Sequence, residues 1–261
     1  MKAIILTSSL RGTASHHIPY LLKEKNITVT MVVYSKGIIL KKSNFFRRKV
    51  KKVLRIGLLG TLNGIRMRKW FDESILKYTT IENLEDVCKK NNIPFYATPS
   101  INDENTVALF KKSGADIGLS LENGYISKKV FSIPEYGMLN IHHEMLPEYQ
   151  NAQGVIWQLY NGSSFTGYTI HKIDTGIDTG AILFRESVPI NFEHSLADTV
   201  SHTMATLYNK SAQGLVKVLN DYDTFSHSDT PQDKSKSYTT PTIWQYIKIY
   251  MQFKKLQRKT A

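Results

Sequence analysis

Cysteine is almost missing from this sequence. Cys88 is the one thiol, so no disulfide can close within the chain and no thiolate cluster can hold a metal. Long apolar runs are missing too: no stretch approaches the roughly 18 consecutive apolar residues of a membrane-spanning helix. The opening "MKAIILTSSL" has too short an apolar part for a secretion signal. A cytoplasmic protein with no integral membrane segment is the expectation. Acidic residues are missing locally. Between Lys36 and Lys69 there are twelve Lys and Arg and no Asp or Glu, and from Lys234 to Ala261 there are seven and none. The remainder carries 15 basic and all 22 acidic residues, so the net charge of +12 belongs to two patches. That pattern suits local docking to an anionic ligand, a membrane surface or a partner, or else a solvated basic face.

What is present fits a folded α/β chain. At 261 residues, with 41% hydrophobic and 21% charged residues, it can bury a full core and reads as one main domain plus an appendage. "KAIILTS" reads as a buried strand, and Ser15 as the N-cap of a helix reaching Lys25. "ITVTMVVY" is a second strand by its β-branched content, completing a βαβ unit and implying a parallel sheet. The basic stretch that follows has Phe46, Val50, Val53, Leu54 and Leu58 at helical spacing. Alternation continues through "ENLEDVCKKNN" (helix), "PFYAT" (strand), a helix ending at Gly114, "ADIGLSL" (strand), a short helix capped by Ser127, and the strand "GMLNI". "FTGYTIH" and "AILFRESVPI" read as strands joined by "KIDTGIDTG". From Ser195 to Leu219 an amphipathic helix is expected, with Leu196, Val200, Met204, Leu207, Leu215 and Val218 inward. A polar linker (220–239) leads to a last helix with Thr240 as N-cap, Pro241 at its first position, and an apolar stripe of Trp244, Ile247 and Met251. That stripe needs a covering surface, so a homodimer is expected, with packing onto its own domain as the alternative.

Candidate chemistry gathers in "LNIHHEMLPEYQNAQ". Asn140 and His142 sit two apart at a strand end, so both side chains reach one side, an amide donor beside a titratable imidazole. Ligands of open α/β sheets bind beyond such carboxyl ends. A nearby acid from "KIDTGIDTG" would hold the imidazole and complete a proton path. Taken alone the Asn-x-His is weak, because a histidine at a strand end is more often structural. The loop "SSLRGTASHH" after the first strand leads into a helix N-terminus that favours phosphate; Ser9, Arg11, His16 and His17 are candidate contacts, a plain capped loop being the alternative. Trp157 and Tyr160, at helical spacing, read as core.

The order of the whole region carries more. Asn-Ile-His, then Leu-Pro after three residues, a Gly-containing loop and helix, Thr-x-His, and an Asp-rich loop before Thr-Gly resembles the signature of the folate-dependent formyltransferases. The resemblance implies a Rossmann-like formyltransferase fold over residues 1–190: an open, twisted, mostly parallel sheet with flanking helices. The basic stretch 36–69 becomes an insertion, and 191–261 a helical C-terminal region. It implies Asn140, His142 and Asp178 as the catalytic trio and N10-formyltetrahydrofolate as the co-substrate. The donor would lie against Asn123, Gly124, Tyr125 and Ile126 and the backbone around Asp174 to Asp178. No metal is implied.

There are departures: His143 stands where much of the family has Pro, and Glu148-Tyr149-Gln150-Asn151 stands where Arg-Tyr-Arg-Gly is usual. "NIHHE", "QNAQ" (with Gln153 then facing the acceptor) and "SYTTPT" are most similar to the branch that formylates nucleotide-linked 4-amino sugars. That implies a dTDP-linked 4-amino-4,6-dideoxyglucose as acceptor and a place in surface polysaccharide (O-antigen) synthesis, with no nucleic-acid partner. The insertion's apolar face is then expected to cover the sheet edge or the acceptor cleft, with Arg47, Arg48 and Lys49 drawing in the diphosphate. A methionyl-tRNA formyltransferase is the rival; its resemblance requires a β-rich RNA-binding domain, whereas the residues after Ile190 read as helix, linker and helix. A non-catalytic basic module that binds nucleic acid or membrane is the third reading.

Overall fold

The computed structural model describes residues 1–35, 42–151, 153–233 and 235–260. The first residues of the expected insertion (36–41) and Lys234 of the expected linker lie outside them. Seven strands form one sheet: β1 (Lys2–Thr7), β2 (Thr28–Ser35), β3 (Phe95–Thr98), β4 (Ile117–Leu121), β5 (Met138–His142), β6 (Phe165–Lys172) and β7 (Ile182–Pro189). Their order is β3-β2-β1-β4-β5-β6-β7, with β1 to β5 parallel and β6 and β7 antiparallel. This is the expected open, mostly parallel sheet flanked by helices.

The apolar run of β1 has its cause in burial on both sides. Ala3 and Ile5 face one core, with Leu119, Leu139 and Leu215, while Ile4 and Leu6 face a second with Phe110, Val130 and Met138. The first core is covered by α1 (Thr13–Leu21) and α7 (Leu196–Asn220), the second by α4 (Glu104–Ser113) and α5 (Lys128–Phe131). All six inward residues expected of α7 are buried, and the Ser195 hydroxyl caps it by accepting the Asp198 N–H at 3.0 Å. The strand order reverses between β1 and β4, which opens a crevice at their carboxyl ends.

Four local expectations are corrected. Helix α1 begins at Thr13 and ends at Leu21, not Lys25, because Lys23 and Glu24 bond three residues back in turns. Ser15 lies inside its first turn, where its hydroxyl accepts the Gly12 N–H at 3.2 Å. The last helix, α9 (Ile243–Thr260), starts two residues later than expected: Thr242 and Gln245 form a reciprocal cap at 2.8 and 3.3 Å, and Thr240 does not cap it. It packs on its own domain through buried Ile249 and Phe253, beside α6 (Ile156–Tyr160), while Trp244, Ile247 and Met251 stay exposed. The linker contains α8 (Tyr222–His227), pairs Thr230 with Ile182, and buries Tyr238, whose N–H donates to Gln150 O at 2.9 Å.

The basic stretch forms α2 (Lys42–Asp72), with a break at Gly57, φ 76°. There α3 (Leu84–Lys90) and the turn Ser74–Lys77 follow before β3. Ile56, Met67 and Trp70 turn inward, but Phe46, Val50, Leu54 and Leu58 face solvent, so the face expected to cover the sheet edge or cleft does not. The reason lies in the helix period: Ile56, two residues past Leu54, points to the opposite side, and that is the side the domain takes up.

Candidate active site

Beyond the carboxyl ends of β4 and β5 lies a cleft of about 700 Å³. Asn140 and His142, two apart on β5, both line it, as the strand's period of two requires. The antiparallel register sets His171 of β6 opposite Asn140. His171 Nδ1 lies 2.8 Å from the Lys172 carbonyl, which can only accept; the proton is therefore on Nδ1, and Nε2 accepts from the Asn140 amide at 3.1 Å. Burial pushes the His171 pKa below its ordinary value against the pull of the Asp178 carboxylate, so the ring stays neutral.

The loop after β5 folds back over the site. Thr169 anchors it, its hydroxyl donating to Glu144 O (2.8 Å) and accepting the Leu146 N–H (3.0 Å). This places the Tyr149 carbonyl 2.9 Å from His142 Nε2. Nε2 therefore carries a proton, and Nδ1 faces Asp178 Oδ2 across 3.8 Å. Asp178, in a left-handed conformation (φ 54°), is fixed by the Asn151 N–H at 3.0 Å, and its other oxygen is 3.7 Å from His171 Nε2. His142 and Asp178 are 12% and 14% exposed, close enough to solvent to exchange protons yet inside a low-dielectric wall. Asn140, His142 and Asp178 are thus brought together, with His171 beneath them.

The other wall holds Asn123, Gly124, Tyr125 and Ile126, and Asp174 stands at the loop opposite. Asp174 Oδ1 is engaged within its own loop, accepting from the Gly176 N–H and Thr179 hydroxyl at 2.9 and 2.6 Å. The Asn123 amide donates to Leu6 O at 2.6 Å, and its buried Oδ1 has no hydrogen-bond partner among the described residues. Glu122, also in left-handed backbone (φ 64°), accepts from Thr13 (2.8 Å) and Tyr208 (2.7 Å). A Cβ on Gly12 would overlap that carboxylate, so glycine is what lets α1 approach it.

Of the residues expected at an acceptor, Gln153 lines the cleft and Ser9, Arg11, His16 and His17 do not. His17 is fully buried and bonded to Ser211 Oγ at 2.9 Å; His16 is held by Asn209 Oδ1 at 3.1 Å. The Ser9 hydroxyl is taken by the Arg11 carbonyl at 2.9 Å, and Arg11 is exposed. Helix α7 covers His16 and His17, and neither reaches the cleft. His143 stacks on Tyr208 and bonds Ser211 at 3.1 Å; burial pushes its pKa down to about 3, so it stays neutral and supplies no proton. Trp157 is core, as expected, its indole N–H donating to Thr239 O at 3.1 Å.

Sequence reasoning assigned no role to His171, Glu122 or the Tyr149 carbonyl. For His171 a signal existed: Thr169 and His171 share a strand face by the same period of two that pairs Asn140 with His142.

A family described as formyl transferase matches residues 80–219. Among curated relatives, the methionyl-tRNA formyltransferase of Pelotomaculum thermopropionicum is 33% identical over 151 residues, 58% of this chain and 47% of that protein. The chain spans about half the length of the curated relatives it matches. Among solved structures, glycinamide ribonucleotide transformylase 1 from Symbiobacterium toebii superposes with a TM-score of 0.56 at 13% identity, over 90% of this chain and 92% of that one. The N-formyltransferase from Helicobacter canadensis, in complex with folinic acid and dTDP-3-aminofucose, gives 0.52 at 17% identity, over 90% and 70%.

Proposed function

We propose that this chain, which belongs to the formyl transferase family, transfers a formyl group from N10-formyltetrahydrofolate to the amine of a nucleotide-linked amino sugar. The observation that carries the reading is the convergence of Asn140, His142 and Asp178 on one cleft. The donor supplies an activated formyl group. The cleft suits it: a buried Asn123 oxygen with no partner among the described residues offers an acceptor to a ring N–H, and exposed Tyr125 and Ile177 offer apolar cover at the mouth.

As the amine attacks, negative charge grows on the formyl oxygen, and the Asn140 amide and a protonated His142 are the donors that stabilise it. The Asn140 amide has one N–H on His171 and a second free to turn to that oxygen. His142 Nε2 is tied to the Tyr149 carbonyl, so the proton that moves sits at Nδ1, opposite Asp178. Asp178 takes up the amine proton, directly or through one water, and His142 passes its Nδ1 proton to N10 of the donor as the bond between N10 and the formyl carbon breaks, leaving the formamide on the acceptor. The neutral Gln153 belongs to the acceptor side of the cleft.

The acceptor is read from "NIHHE" and "QNAQ", with a dTDP-linked 4-amino-4,6-dideoxyglucose for O-antigen synthesis as the first candidate. The relatives named as methionyl-tRNA formyltransferases favour the rival acceptor. The deciding experiment incubates the protein and the formyl donor with a set of nucleotide-linked amino sugars, and separately with methionyl-tRNA. A gain of one formyl mass on a sugar and none on the tRNA supports the sugar reading; the reverse sinks it.

Two further outcomes are expected. His171→Leu removes the acceptor that aims the Asn140 amide, and turnover should fall about tenfold with the donor's KM unchanged. His171→Gln, whose carbonyl can accept the same N–H, should restore most of the loss, which a purely structural role would not predict. A homodimer is also proposed on α9, whose Trp244, Ile247 and Met251 are exposed. Sedimentation at micromolar concentration should show twice the chain mass, and Trp244→Ser with Met251→Ser should return the monomer.

A further inference from the structure

Helix α2 carries exposed apolar side chains that no other described residue covers. Phe46 and Leu54 before the Gly57 break and Leu58 after it are 69%, 79% and 68% exposed, and Leu62 and Ile65 follow at 56% and 59%. Placing so many large side chains in water within two dozen residues is unusual for a monomer surface, where exposed apolar residues are scattered singly. The same stretch holds no acidic residue from Lys42 to Trp70. Its cations crowd one another: burial and then the neighbouring Arg68 and Arg55 lower the Lys52 pKa. Lys69 meets Glu73 at 4.0 Å only where the basic run ends.

We propose that α2 is a membrane-surface helix that docks this protein peripherally on an anionic lipid bilayer. The chemistry of the face selects that occupant. A second copy in a two-fold dimer would set the helix against itself, like charge on like charge with no acid to relieve it. A nucleic acid would satisfy the cations but offers no phase for bare Leu and Phe side chains, which phosphate and sugar contacts do not use. An anionic bilayer meets both needs: headgroup phosphates for Arg47, Lys51 and Arg68, and the acyl boundary for Phe46, Leu54 and Leu58. No described helix is long and apolar enough to cross a membrane, so the association is with the surface. The buried side of α2, through Ile56, Met67 and Trp70, anchors it to the domain and leaves the apolar side free.

The test is co-sedimentation of the full chain with vesicles of phosphatidylcholine alone and of phosphatidylcholine mixed two to one with phosphatidylglycerol. Binding to the mixed vesicles, little to the neutral ones, and release by salt are expected, since exposed charges are screened beyond about 10 Å at 0.1 M. Arg47→Gln, Lys51→Gln and Arg68→Gln together should cut the partition coefficient by about fivefold for each cation removed. Leu54→Ser, Leu58→Ser and Leu62→Ser together should cut it at least about tenfold while the thermal unfolding midpoint holds, because those side chains are mostly exposed in the fold. No binding to the mixed vesicles overturns the proposal, as does binding that both variants retain. Retention of tRNA without vesicle binding, or a dimer abolished by the leucine variant without vesicle binding, overturns it in favour of that other occupant.

Discussion

His142→Ala is expected to lower turnover at least about a hundredfold, and Asn140→Ala by a similar factor, with the protein still folded. Each removes a donor aimed at charge that exists only in the transition state, and one such donor is worth about 3–4 kcal/mol of barrier. The neighbours do not substitute. His143 is held neutral under Tyr208, and the His171 proton is committed to the Lys172 carbonyl. Neither alanine should unfold the chain. Both side chains line the cleft, so each deletion opens onto solvent-accessible space rather than a sealed core void. The loss should appear in turnover, with the donor's KM little changed, because neither residue is among the segment 123–126 proposed to hold the donor. Parent-like turnover in either variant removes that residue from the chemistry.

Why those two positions were legible in the sequence, and others were not, follows from the range of the forces involved. Asn140 and His142 lie on one strand, and the two-residue period alone sends both to one side. The buried runs of β1, β4 and β5 are legible for the same reason: each is short, apolar and bounded by turn residues. Asp178 was reachable only through a resemblance, because its approach to His142 depends on two loops meeting at the Asn151 amide. The period of two places His171 on one face with Thr169, but that this face meets Asn140 needed the register between β5 and β6, a cross-strand fact. His16 and His17 misled for a related reason. After "SLRGTAS" they look like an exposed loop, but α1 starts three residues earlier than a Ser15 cap would place it, and Asn209 and Ser211 of α7, almost two hundred residues on, close over them. In α2 the spacing of Phe46, Val50 and Leu54 marks an apolar face, but that the domain takes up the Ile56 side instead is a tertiary fact the spacing does not carry.

Stability is expected to be greatest at about pH 7 and to fall on both sides, for two opposed reasons. On the acid side the cause is the buried imidazoles. Burial lowers the pKa of His16, His17, His143 and His171 from the ordinary 6.5, so as pH falls below 6.5 the unfolded chain takes up protons that the folded one refuses. Each proton so taken up tilts stability by about 1.4 kcal/mol per pH unit, a large share of a typical total of about 5–15 kcal/mol. On the alkaline side the cause is Glu144, fully buried, with neither carboxyl oxygen hydrogen-bonded among the described residues. Burial raises its pKa well above 4.5 against the one opposing influence, the Val155 amide. The unfolded chain ionises this carboxyl at its ordinary value while the folded chain keeps the proton, so rising pH favours unfolding until the folded value is passed. Each unfolded imidazole is half protonated at 6.5 and about a quarter protonated near pH 7, where the four together balance the one proton that the folded carboxyl retains; below that the histidines prevail and above it the carboxyl does. Glu144→Gln keeps the shape and the neutral state, so it should flatten the alkaline limb and leave the acid limb in place. At about pH 8 it should stabilise the protein by about 1–3 kcal/mol, the usual cost of a poorly satisfied buried polar group. Urea midpoints taken at intervals of about one unit from about pH 5.5 to 8.5, for parent and variant, measure both limbs. A parent whose stability rises steadily through pH 8, or a variant with an unchanged alkaline limb, would show that the Glu144 carboxyl is not held protonated by its burial.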